Sequence, residues 1–125
     1  MTLADLRIDA LILVCAVSAG IHGALVPEHF EEGAGAGFGF VVATVLLAAL
    51  AVALTRAPTQ LALVTTVAVL AGLIASYALV ITTGFPVLHP EAEAVDGLAL
   101  FTKAIEGLGL ALAAVPFAQP KGVYA

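Results

Sequence analysis

The side chains of this sequence that could do chemistry are few and fall in two short groups. His22, Glu28, His29, Glu31 and Glu32 lie within eleven residues, and His89, Glu91, Glu93 and Asp96 form the second group. Imidazole nitrogens with carboxylate oxygens suit zinc, copper or another divalent metal. The candidate ligands are His22, Glu28, His29, Glu32, His89 and Glu91. No His-Glu-x-x-His, paired-cysteine motif or other spacing diagnostic of one metal is present, so the ligands do not separate copper from zinc. The bland alternative is a solvated acidic surface, with Pro27 and Pro90 shaping its turns.

A further set sits in apolar surroundings. Cys15, Ser18, His22 and His29 are spaced by three, four and seven residues, and form one stripe if helical geometry persists past Pro27. Asp96, Ala99, Lys103 and Glu106 share a face in the same way. Lys103 and Glu106 can neutralise each other as a buried pair, with Ser18, Tyr77 and Asp96 as supporting candidates. His22, Lys103 and Glu106 then read either as a polar site or ion path, or as a salt bridge that fixes packing beside a hydrogen-bonded histidine. Nucleophilic catalysis is not expected. Ser18 and Ser76 are the only serines, no Ser/His/Asp order suggests a triad, and Cys15 lies in an apolar run where a thiol is inert. Haem is not excluded, since His22 could be an axial ligand; two histidine ligands would have to lie at matching depth.

Composition decides what positions these groups. Of the 125 residues 62% are hydrophobic and 10% charged, with a mean hydropathy of +1.17. Soluble domains average about 25% charged residues, and a domain of this length still exposes about a third of its chain's surface. Lipid is the solvent that fits. Apolar runs at about 8–26, 37–54, 61–82 and 95–115, bounded by proline and glycine, predict four transmembrane helices. They lack period-2 alternation, which argues against strands. The expected fold is all-α: a single polytopic domain, an up-down bundle of four transmembrane helices.

Arg7, Arg56 and Lys121 fall on one side of such a bundle, which the positive-inside rule makes cytoplasmic, with both termini there. Six of the nine acidic residues fall in the two loops on the other side, so the outer face attracts cations and offers nothing to nucleic acid. A cleaved signal peptide is not expected, because Asp5, Arg7 and Asp9 precede the first run where positive charge is needed. The halves echo one another weakly: Pro27-Glu28-His29-Phe30-Glu31-Glu32-Gly33 against Pro90-Glu91-Ala92-Glu93-Ala94-Val95-Asp96-Gly97. Small residues four apart, such as Ala19/Gly23, Gly33/Gly37, Gly35/Gly39 and Gly109/Ala113, would allow close helix approach.

The stretch Ala19-Gly20-Ile21-His22-Gly23-Ala24-Leu25-Val26-Pro27-Glu28-His29-Phe30-Glu31-Glu32 resembles a segment of small four-helix integral membrane proteins of high-GC Gram-positive bacteria, in which a histidine near the end of the first helix precedes a Pro-Glu-His element. The resemblance covers mainly the first two helices. It implies a bacterial plasma-membrane location and importance for His22, Glu28, His29 and Glu32, and carries no activity. The leading expectation is a non-enzymatic protein that binds or passes a cation, a divalent metal foremost, at an outward His/Glu site. The alternatives are an accessory subunit of a larger membrane complex, or a haem- or quinone-linked redox protein. A homo-oligomer is compatible with each.

Overall fold

Thr2 starts the first helix. Its hydroxyl accepts from the Asp5 N–H at 3.1 Å while the Asp5 carboxylate accepts from the Thr2 N–H at 2.9 Å, a reciprocal cap. In the computed structural model, which describes residues 2–83 and 96–118 with side chains to Ala114, four helices follow: α1 (Leu3–Glu32), α2 (Ala34–Arg56), α3 (Gln60–Thr82) and α4 (Gly97–Ala118). Thr59 caps α3 through the Ala62 N–H at 3.1 Å, and Asp96 caps α4 through the Ala99 N–H at 2.8 Å. All four helices are long and apolar enough to cross a membrane, as in a multi-pass membrane protein.

The surface agrees with that solvent. Leu13, Phe38, Val45, Leu61 and Leu108 are exposed, while the hydroxyls of Thr44, Thr66 and Thr102 each donate to the carbonyl four residues back. Such back-bonding satisfies a hydroxyl where no water is at hand.

Several boundaries differ from the sequence reading: α1 starts at Leu3 rather than about 8, α2 at Ala34 rather than about 37, α4 runs to Ala118 rather than about 115, and the largest change is at Pro27. The first helix does not stop at Pro27 but continues to Glu32. Proline removes one N–H, whose partner would have been the Gly23 carbonyl. The ladder resumes beyond it, and the Gly33 N–H donates to the His29 carbonyl at 3.1 Å; the His29 ring adds a side-chain bond from Nδ1 to the Leu25 carbonyl at 2.9 Å. One missing bond costs less than leaving a whole turn of backbone unpaired in apolar surroundings. The expected first acidic loop is therefore the last turns of α1, joined to α2 by the extended Gly33 alone. At roughly 1.5 Å per residue the 30 residues of α1 reach about 45 Å, well beyond a hydrocarbon core of about 30 Å. Glu28 and Glu32 lie in the last turns of α1.

The chain runs up and down. Residues 21–29 of α1, 36–43 of α2, 73–80 of α3 and 96–103 of α4 meet at one end of the bundle. At the other end Leu11, Cys15, Leu47, Leu50, Leu54, Leu63, Leu70 and Ala113 pack into one apolar core. Small residues permit the approach: at Gly109 an added Cβ would lie 2.6 Å from Val14 Cγ1 on α1 and 3.1 Å from Leu70 Cδ1 on α3. The ring of Phe30 already occupies the space beside Gly37, which closes the α1–α2 turn. The second half of the sequence echo lies largely outside the described residues.

Candidate functional site

The expected stripe on α1 is buried along its length. Cys15 and Ser18 are fully enclosed, and His22 and His29 are 5% and 6% exposed. Near the middle of the bundle the stripe meets α4. The Ser18 hydroxyl donates to Glu106 Oε2 at 2.5 Å, and Lys103 Nζ donates to Glu106 Oε1 at 2.6 Å. Both carboxylate oxygens are engaged and the glutamate is fully buried, so Lys103, Glu106 and Ser18 form a satisfied unit that pins α1 to α4. Lys103 Nζ also lies 5.6 Å from the centre of the Tyr77 ring, which brings in α3.

Above this unit the four helices line a partly open cavity of about 380 Å³. Ile21, Leu25, Ala43, Leu73 and Leu98 make apolar wall; His22, His29, Glu28, Asp96, Lys103, Tyr77, Ser76 and Thr102 bring polar groups to it. His22 Nδ1 donates to the Ser18 carbonyl at 2.8 Å, and His29 Nδ1 to the Leu25 carbonyl at 2.9 Å. A carbonyl accepts only, so each Nδ1 carries the proton and Nε2 is left as the nitrogen available to a ligand.

Phe40 on α2 joins the two imidazoles. Its ring stacks on His29 at 3.5 Å between centroids and 17° between planes, and approaches His22 at 5.1 Å. Glu32, expected among the ligands, lies on the last turn of α1 with Oε2 3.9 Å from His29 Nε2. Asp96 gives one carboxylate oxygen to the α4 cap, so its role is partly structural. His89 and Glu91, the remaining expected ligands, lie outside the described residues, as does Glu93. Among the described residues no three of His, Cys, Asp and Glu converge as a metal-holding group.

Among the described residues Glu28 and Asp96 bring two carboxylates to the wall, and its ammonium, Lys103, is already matched by Glu106. The wall therefore favours a positive guest. Its polar lining ends at the Lys103–Glu106 unit. In the described half below, Thr66 is the remaining buried polar side chain, and its hydroxyl is spent on the Ala62 carbonyl at 2.8 Å. The described residues thus form a chamber closed at its base by packed leucines, with no polar route through them. Sequence reasoning missed Phe40, Ser76 and Thr102, which reach the cavity from three other strips of helix.

No family model matches the chain, and neither the curated proteins nor the solved structures contain a match.

Proposed function

We propose that this chain is a non-enzymatic, multi-pass membrane protein that binds a cation in the cavity at the α1–α2 end. The observation that carries the reading is the orientation of the two buried imidazoles: both spend Nδ1 on backbone carbonyls and keep Nε2 for a ligand in a wall that also holds Glu28 and Asp96. Imidazole nitrogen with carboxylate oxygen makes zinc or copper the leading guest. At about 30 Å³ per water the chamber has room for roughly a dozen, so an ion would keep part of its hydration shell. The distribution of Arg7 and Arg56 supports an outward-facing cavity by the positive-inside rule, and a bacterial plasma membrane is what the resemblance implies. Because the polar lining ends at Glu106, binding is favoured over passage.

A second reading is favoured by the volume itself. About 380 Å³ with mostly apolar walls and a few polar groups also suits a small organic head group such as a quinone, with His22, Tyr77 and Lys103 as partners. Calorimetric titration in mild detergent separates the two. Saturable heat on adding Zn²⁺ or Cu²⁺, abolished in His22→Ala/His29→Ala, supports the cation. Absence of metal binding to folded wild type, with saturable binding of a short-chain quinone, would replace it with the organic guest.

A further inference from the structure

The base of the cavity holds an ammonium group, and it belongs to the protein. Glu106 is fully buried, and an isolated carboxylate at that depth would be strongly disfavoured. Lys103, one turn earlier on the same helix, brings its Nζ to 2.6 Å from Oε1 and to 5.6 Å from the Tyr77 ring centre. The other oxygen is held independently of the lysine by the Ser18 hydroxyl of α1 at 2.5 Å. The lysine side chain is 17% exposed and lines the cavity, so its stem follows a route open to that space.

We infer that Lys103 is a tethered cation filling an ammonium site made by Glu106 and Tyr77, and that it sets the depth to which a free cation enters the bundle. The carboxylate is oriented from α1 and the aromatic face comes from α3, so neither depends on the lysine being present. Removing the side chain leaves an acceptor and a ring face at the end of a channel as wide as a four-carbon stem, continuous with the cavity above. A compact primary ammonium fits that space. A quaternary ammonium is too bulky, and a neutral alcohol supplies no charge to match Glu106. In the native chain the tether keeps free cations in the upper chamber, beside His22 and Glu28. The limit on depth rests on the cation reading proposed above; the ammonium site itself does not, since its occupant is the protein's own side chain.

The test is chemical rescue of Lys103→Ala in mild detergent, followed by thermal unfolding with n-propylammonium chloride, sodium chloride, tetramethylammonium chloride or 1-propanol. The variant is expected to melt about 5 °C or more below wild type, and to regain at least half of that loss, saturably, with propylammonium alone. Wild type and Lys103→Ala/Glu106→Gln should not respond. If the single variant folds too poorly to melt, purification with and without propylammonium gives the same readout as yield of folded protein. Equal rescue by sodium or propanol, no rescue, or equal rescue of the double variant would each overturn the inference.

Discussion

Gly109 offers the sharpest perturbation of the packing. A Cβ built there lies 2.6 Å from Val14 Cγ1, 3.1 Å from Leu70 Cδ1 and 3.3 Å from Val14 Cβ, whereas ordinary contact begins at 3.4 Å. The nearest contact is therefore short by 0.8 Å, and two helices must give way at once. Overpacking of that kind costs about 1–3 kcal/mol. Gly107, two residues away on the same helix, has nothing within 4 Å of its Cβ position. Each substitution to alanine gains up to about 1 kcal/mol of helix propensity, so the gain cancels between them and the difference isolates the clash. Gly107→Ala should be neutral or stabilising, and Gly109→Ala should lie about 1–3 kcal/mol below it. Val14→Ala should recover much of the Gly109→Ala loss, because it removes the nearest atom, Val14 Cγ1. Unfolding in mixed micelles with rising SDS, followed by ellipticity, gives the values. A Gly109→Ala protein as stable as Gly107→Ala would refute the close approach of α4 to α1 and α3.

Glu106→Gln leaves the Lys103 ammonium facing a neutral amide and should cost about 3 kcal/mol; Lys103→Met/Glu106→Gln should recover most of it, as read by the same titration. Pro27→Ala restores a donor for the Gly23 carbonyl and should raise stability by about 1 kcal/mol, while resetting the angle between His22 and His29 and so weakening Zn²⁺ binding by calorimetry. Phe40→Ala removes the ring stacked on His29; losing roughly 0.5–1.5 kcal/mol of orientation should weaken Zn²⁺ affinity about two- to tenfold. Cys15, fully enclosed in the core, should react with a membrane-permeant maleimide on unfolding and hardly at all before it, measured by mass spectrometry.

Periodicity along a single helix is what the sequence exposes most clearly. The stripe Cys15, Ser18, His22 and His29 is legible because residues three and four apart must share a face, and a polar strip cannot turn toward lipid. The Lys103–Glu106 pair is legible for the same reason. Ser18 to Glu106 is not: the bond joins residues 88 positions apart, and which faces meet depends on the rotation of two helices that either sequence segment alone leaves free. Phe40 is hidden likewise, one of two phenylalanines in an apolar run beginning with glycines, with nothing local to mark it as the partner of two histidines. At Pro27 the local signal for a helix end is overruled by the demand of every neighbouring backbone group for a partner. The same continuation turns Glu28, His29 and Glu32 from loop residues into helix residues with fixed directions.

The central claim is that His22 and His29 hold a cation through Nε2. It is tested most directly by nitrogen NMR of protein labelled at histidine ring nitrogens, in a His89→Ala background, before and after adding Zn²⁺. The account predicts that both rings begin with the proton on Nδ1, and that their Nε2 resonances move on saturation while Nδ1 stays hydrogen-bonded. Protons on Nε2 at the outset, or Nε2 resonances unmoved by excess Zn²⁺ in folded protein, would contradict it.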